Sequence, residues 1–182
     1  NWRGTLFEDD QVVDTRGTIA EKVDEKTDGK DHFKEAVAAT HLAVRVGNDF
    51  ALPSMFKALK AHLAKHPDLP QAGEVKALEV SALETTGLWS EAIELGDKYK
   101  SELKGADAVT VRLAMLGAAR KLEKPAEVDR LLKELEPFLD KEADPLTGFI
   151  VDSVTFERDC QKGEVSLEEM TRRHVAVWRE FQ

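Results

Sequence analysis

The chain has 182 residues, of which 42% are hydrophobic and 34% charged, so it can bury a core and is not expected to be disordered. Its formal net charge is −9, and only residues 31–71 hold a slight excess of bases, five against four acids, which makes nucleic acid and anionic membranes poor candidates for partners. The single Cys160 excludes an intrachain disulfide or a site built on several cysteines, and no apolar run reaches the length of about 18 residues that a membrane span requires.

Residues 1–30 differ in pattern from the rest of the chain. Two short apolar runs, residues 5–7 and 11–13, are separated by an acidic triplet, which predicts a small hairpin or an irregular N-terminal arm. The acidic residues of this segment are Glu8, Asp9, Asp10 and Asp14. They lack the glycine and the regular ligand spacing of a calcium loop, so we expect a solvated turn.

From Asp31 onward, apolar residues recur every three or four positions, which predicts helices separated by short connections. The predicted helices cover residues 31–47, 53–66, 72–86, 89–105, 109–123, 125–139, 145–161 and 166–181. Short connections favour antiparallel neighbours, so we expect four hairpins. These hairpins are residues 31–67, 72–105, 107–141 and 145–182. The predicted fold class is therefore all-α.

Each predicted helix carries an apolar stripe that marks its buried face. In the third helix the stripe consists of Val75, Leu78 and Ala82. In the fifth helix it consists of Val109, Leu113, Leu116 and Ala119, and in the seventh of Phe149, Ser153, Phe156 and Cys160. The last helix opens on Ser166 and Glu169, which have the spacing of a capping box.

The segment Gly87-Leu88-Trp89-Ser90-Glu91-Ala92 resembles the hairpin turn of a tetratricopeptide repeat. In that family a glycine ends the first helix, an aromatic residue follows two positions later, and a small residue three positions further seats the second helix. Val80 and Tyr99 depart from the family pattern, in which small residues are usual at both positions. The neighbouring units diverge more, since residues 123–128 lack the glycine and the aromatic residue. The resemblance covers about residues 31–142.

This resemblance implies antiparallel hairpins stacked as a tetratricopeptide-like α-α superhelix, with a groove lined by the first helix of each pair. It implies a non-catalytic interaction or scaffold module that binds a peptide or a partner protein. The groove positions that it implies are Lys34, Val37, His41, Arg45, Ala77, Ser81, Glu84, Thr85, Thr110, Gly117 and Arg120. Among them, the cations Lys34, Arg45 and Arg120 could meet an acidic segment or a C-terminal carboxylate. A helical bundle without repeats is the alternative arrangement.

A second hypothesis is a metal-dependent enzyme or accessory domain. His62 and His66 lie four residues apart, so they share one helix face and could ligate a metal together with N-terminal carboxylates. No glutamate follows His62 as the zincin motif requires, and the simpler interpretation is two solvated histidines near a helix C-terminus. The chain has no nucleophile elbow, phosphate-binding glycine loop or dinucleotide fingerprint, so we predict no catalytic residue, metal site or cofactor.

A third hypothesis is a structural spacer or dimerisation segment. The sequence begins at Asn1 and not at methionine, so we expect either a removed leader or a piece of a longer protein. One cysteine in this length is compatible with the cytoplasm, which we favour slightly, and with a bacterial periplasm. The partner we expect is another protein or a peptide.

Overall fold

The computed structural model describes residues 30–139 and 144–166, together with residues 168, 169, 171, 172 and 175. These residues form helices and no strand, which confirms the all-α class. The helices are α1 (Lys30–Arg45), α2 (Leu52–Lys65), α3 (Ala72–Thr85), α4 (Trp89–Tyr99), α5 (Gly105–Lys121), α6 (Pro125–Leu135) and α7 (Pro145–Gln161), with a 3-10 turn over Glu136–Phe138. The predicted N-terminal arm and most of the predicted last helix lie outside the described residues. None of the described helices has the length and apolar character of a membrane span.

The chain divides into two compact units, Asn1–Glu123 and Lys124–Gln182. The first unit contains α1 to α5, and the second contains α6 and α7. The boundary falls inside the predicted hairpin over residues 107–141.

In the first unit, α3 is the central helix. It packs against α1, α2, α4 and α5, while α1 also packs against α2, and α4 against α5. The predicted stripe of Val75, Leu78 and Ala82 is buried, as expected. Ala77 and Val80 are buried as well, because a helix with neighbours on several sides buries more than one stripe.

The turn between α3 and α4 has the glycine-dependent geometry that the sequence indicates. Gly87 adopts a left-handed φ of 83°, which a glycine reaches without steric cost. Its N–H donates to the Glu84 carbonyl at 3.2 Å, and the Leu88 N–H donates to the Leu83 carbonyl at 2.9 Å. This pair of bonds is a Schellman motif and satisfies the last carbonyls of α3. Trp89 then begins α4.

The end of α5 has a left-handed residue at the corresponding position and one of the two turn bonds, without a glycine. Glu123 has a φ of 52°, and its N–H donates to the Arg120 carbonyl at 3.1 Å. Glu123 therefore holds the left-handed conformation that Gly87 holds 36 residues earlier. A residue with a Cβ is strained in this region, so the position carries a small energetic cost.

Helices α4 and α5 approach closely at Gly96. A Cβ added to Gly96 would overlap the sulfur of Met115 on α5 and lie 2.6 Å from its Cγ. Met115 is fully buried, so it cannot swing into solvent to make room. Gly96 is thus required by packing and not by its backbone conformation.

The predicted buried face of α5 is partly wrong. Leu116 and Ala119 are buried, but Val109 and Leu113 are only half-buried. The buried positions are Ala108, Val111, Met115, Leu116, Ala118 and Ala119. They spread over a wide face because both α3 and α4 cover this helix.

In the second unit, α6 ends earlier than the predicted residue 139. Pro137 has no N–H to continue the α-helical ladder, so the chain tightens into the 3-10 turn after Leu135. Helix α7 has the predicted bounds. Asp144 caps its start by accepting the Thr147 N–H at 3.1 Å.

The predicted face of α7 is wrong. Phe149, Phe156 and Cys160 are half-buried, as is Ser153. The residues that α7 buries are Thr147, Gly148, Val151 and Val154. The prediction followed the largest apolar side chains, whereas the buried positions hold small and β-branched residues, which suit close packing.

Two ion pairs join α7 to α6, since Arg158 lies 3.3 Å and Lys162 lies 2.9 Å from the Asp129 carboxylate. Hydrogen bonding to Lys162 lowers the pKa of Asp129. Beyond α7, the Glu169 N–H donates to Ser166 Oγ at 3.2 Å, which confirms one half of the predicted capping box.

Candidate functional site

Three ionisable side chains meet on the first unit where α1, α3 and α5 lie side by side. We call the surface carrying His41, Glu74 and Asp107 the three-helix face. His41 Nε2 lies 3.0 Å from Glu74 Oε1, and both side chains are partly exposed. Glu74 follows His41 by 33 residues, and Asp107 follows Glu74 by the same interval. Each helix therefore contributes one member of the group.

Asp107 reaches this surface because α3 has a glycine opposite it. A Cβ at Gly73 would overlap the Asp107 carboxylate, so only glycine leaves that space open. Burial raises the pKa of Asp107, the neighbouring Glu74 carboxylate raises it further, and His41 opposes the shift. The Asp107 carboxylate is therefore partly removed from solvent and has a second carboxylate as a neighbour.

A pocket opens between α1 and α3 beside this group, which we call the α1–α3 pocket. Its volume is about 390 Å³. The residues that line it are Lys34, Val37, Ala38, His41, Gln71 and Glu74. Gln71 is 9% exposed, and its Oε1 is buried with no hydrogen-bond partner. A buried carbonyl without a donor is uncommon and costs stability.

A further carboxylate lies between α3 and α5. Glu84 packs over Gly117, where an added Cβ would lie 2.8 Å from Glu84 Oε1. Burial raises the pKa of Glu84, and Lys121 opposes the shift. The α3–α5 seam therefore holds acidic groups at both of its ends, Asp107 near the start of α5 and Glu84 near the end of α3.

Three predicted groove residues carry hydroxyl groups that bond within their own helices. Ser81 donates to the Ala77 carbonyl at 3.2 Å, and Thr85 donates to the Ser81 carbonyl at 2.9 Å. Thr110 likewise donates to the Ala106 carbonyl at 2.9 Å. Because their protons are used in this way, these hydroxyls offer a ligand only acceptor lone pairs.

The predicted groove residues differ in exposure. The exposed ones are Lys34, His41, Arg45, Thr85 and Arg120, and the half-buried ones are Ser81, Glu84, Thr110 and Gly117. Val37 and Ala77 are 2% and 3% exposed. Val37 belongs to the apolar core formed by α1, α2 and α3, so these two positions serve mainly in packing. Lys34 and His41 are the predicted residues that the α1–α3 pocket brings together with Glu74.

His62 does not match the interpretation as a solvated histidine. It is 7% exposed, and its ring stacks on Phe33 at a centroid distance of 4.7 Å. The His62 and His66 rings also lie 4.7 Å apart, centroid to centroid. His66 is exposed. In the part of the chain that the structure describes, no group of three or more His, Cys, Asp or Glu side chains could hold a metal ion. The acidic residues of the N-terminal arm lie outside that part.

A second concavity lies between α2 and α3 and has a volume of about 660 Å³. Its lining includes Leu52, Phe56, Leu83 and the half-exposed Leu88, with Lys57 and Lys60 at its edge. Lys60 pairs there with Glu79, which also accepts the Tyr99 hydroxyl at 3.1 Å. It contains none of the predicted groove residues.

Sequence reasoning missed Gln71, Glu74 and Asp107. One signal was present in the sequence, the equal interval of 33 residues from His41 to Glu74 to Asp107. Gln71 offered no signal, because its importance arises only from burial next to a pocket.

No family model, curated protein or solved structure matches this chain. The tetratricopeptide resemblance therefore remains a prediction that depends on the residues around Gly87, Trp89 and Ala92.

Proposed function

We propose that this protein is a non-catalytic interaction module that binds an extended segment of a partner protein on the three-helix face. The observation that carries the proposal is the α1–α3 pocket, which gathers Lys34, His41 and Glu74 around an opening between two helices. A volume of about 390 Å³ is in the range of pockets that enclose a small group, such as one side chain of a peptide. The tetratricopeptide-like arrangement of stacked hairpins is part of this proposal.

The packing of the first unit supports the same proposal. Because α1, α3 and α5 are successive neighbours, their outward residues form one surface that runs across three helices. Along it, charged groups alternate with hydroxyl groups and small residues, as at Glu74, Ser81 and Glu84. Such a surface offers an extended chain several polar contacts and little apolar area, which is typical of peptide recognition that depends on side-chain pockets.

The test uses two alanines on α1 that differ in position but not in exposure. Ala38 and Ala39 are both exposed, and only Ala38 lines the α1–α3 pocket. Ala38→Trp should fill the mouth of the pocket, whereas Ala39→Trp adds the same bulk beside it. Peptides selected from a random displayed library on the wild-type protein are then measured by fluorescence anisotropy.

We expect Ala38→Trp to weaken the selected peptides by about tenfold or more, and Ala39→Trp to leave them unchanged. Circular dichroism should show the same helical content in both variants. Equal binding by wild type and Ala38→Trp would exclude the pocket as the binding site. Charge reversal at Arg45 or Arg120 tests the exposed cations of α1 and α5 in the same assay.

A further inference from the structure

We infer that the partner segment inserts a lysine or arginine side chain into the α1–α3 pocket, where it meets Glu74, a lining carboxylate that has Asp107 as its neighbour. This inference depends on the proposed function and adds the chemical class of the partner. It differs from the acidic segment that Lys34, Arg45 and Arg120 suggest when the sequence is considered alone.

The charges around the pocket favour a cationic side chain as the ligand. Burial raises the pKa of Asp107, and the charge of the Glu74 carboxylate raises it further, so two carboxylates are neighbours here. Glu74 lines the pocket, and its Oε1 lies 3.0 Å from His41 Nε2. An ammonium or guanidinium group beside Glu74 would add a positive charge at this pair, and opposite charges within about 4–6 Å favour the ionised carboxylate.

Gln71 gives an independent reason to expect a donor in the same place. Its Oε1 is an acceptor without a partner, and its side chain lines the pocket. A lysine or arginine head group carries several N–H donors and no acceptor. It can therefore bond to Glu74 and supply a donor for Gln71, whereas a carboxylate ligand would leave Gln71 unpaired.

Lys34 is the cation that lines the pocket, and it occupies the first turns of α1, seven residues before His41. That separation is two helical turns, so Lys34 and the His41–Glu74 pair lie at opposite ends of the opening. An incoming basic side chain can thus reach Glu74 from the His41 end. Arg45 is exposed on α1, outside the residues that line the pocket.

The test measures two pools of labelled peptides with capped ends. The pools share randomised small neutral flanks and differ only at one central position, which is lysine in one pool and glutamate in the other. Each is titrated against the wild-type protein, Glu74→Gln, Asp107→Asn and Ala38→Trp. Glu91→Gln is the matched control, since Glu91 is an exposed carboxylate on α4 and its loss changes the net charge equally.

We expect the lysine pool to bind more tightly than the glutamate pool. Glu74→Gln should weaken the lysine pool by about tenfold, the effect of one charged hydrogen bond. Asp107→Asn should weaken it less, because Asp107 lies outside the pocket lining and acts through its charge, and Glu91→Gln should leave it unchanged. The inference is overturned if the glutamate pool binds more tightly, if neither pool binds, or if both carboxylate variants bind the lysine pool like wild type. When Ala38→Trp still weakens the peptides selected from the random library in such a case, the proposed function stands and only the basic partner is excluded.

Gln71→Met supplies a second measurement that separates binding from folding. Methionine has nearly the shape of glutamine but no acceptor, so the variant should lose affinity for the lysine pool while its denaturant midpoint rises. A variant with unchanged affinity would show that Gln71 meets no donor of the ligand.

Discussion

Gly87 and Glu123 occupy equivalent turns with different residues. Both have left-handed backbone angles at the end of a helix, and both donate an N–H to a carbonyl three residues earlier. Only Gly87 can do so without a Cβ clash. The comparison isolates the cost of a side chain at this position.

Glu123→Gly should therefore stabilise the protein. The relief of left-handed strain exceeds the entropy that glycine adds to the unfolded chain, and we expect a net gain of about 0.5–1 kcal/mol. Urea unfolding followed by circular dichroism measures this change.

Gly87→Ala is the matched substitution, because it adds a Cβ where Glu123→Gly removes one. It should lower the free energy of unfolding by about 1 kcal/mol. A loss of stability in Glu123→Gly would show that a contact of the glutamate side chain outweighs the strain of its left-handed backbone.

At the scale of elements, the separation of α4 from α5 depends on Gly96 facing Met115. No other residue type leaves room for the Met115 sulfur at this crossing. The protein interior is packed densely, so an added methyl group must displace a neighbour.

Gly96→Ala should destabilise the protein by about 1–3 kcal/mol through overpacking. In a Met115→Ala background the same change should cost little or become favourable, because the obstructing atoms are gone. Thermal unfolding of the four proteins gives the coupling energy. An equal cost in both backgrounds would mean that Gly96 matters for another reason.

Helices α3 and α4 are also linked through Tyr99, whose hydroxyl donates to Glu79. Burial, followed by the Glu79 charge and hydrogen bond, raises the pKa of Tyr99 from 10.0 to about 12. Because the folded state favours the neutral phenol, this contribution to stability is complete below pH 10 and is lost as pH rises from 10 to about 12. Tyr99 is the single tyrosine of the chain, so tyrosinate absorbance reports it alone.

We expect the titration midpoint near pH 12 in the wild type and a lower midpoint in Glu79→Gln. Tyr99→Phe should remove the corresponding step from the alkaline stability profile. A wild-type midpoint at pH 10 would contradict the hydrogen bond to Glu79.

Helix bounds were predictable where backbone chemistry sets them. Pro145 and Gly87 act through local sterics, so the starts and ends nearest them match the predicted bounds closely. Buried faces were less predictable, since they depend on which neighbours cover a helix. Val109 and Phe149 belong to regular apolar patterns, yet other faces of α5 and α7 are buried. The 33-residue interval relates Glu74 and Asp107 to His41, but it distinguishes them among 35 acidic residues only once the adjacent helices are known.

At the scale of the whole molecule, the formal net charge of −9 is unevenly distributed along the chain, since residues 30–123 hold 13 acids and 13 bases. The described part of the first unit is therefore neutral overall, and the attraction of a basic segment to the pocket comes from the nearby carboxylates. This attraction is screened by salt, because the Debye length is about 10 Å at 0.1 M ionic strength.

The affinity for the lysine pool should therefore fall from low to high salt by less than the loss of about tenfold expected of Glu74→Gln, because the attraction is that of a local ion pair. Stopped-flow fluorescence separates the association and dissociation rates. A pool with an uncharged central residue serves as the control and should show little change. A salt-independent association rate for the lysine pool would argue against electrostatic attraction by this protein.

The even interval between His41, Glu74 and Asp107 makes the first unit a template for protein engineering. A duplicated helix pair of that length, inserted after α4, would bring its own ionisable group beside the preceding one, as Glu74 comes beside His41. The residue chosen for that position would then set the charge preference of each added helix pair. Several such pairs in series could bind a peptide in which lysines and glutamates alternate.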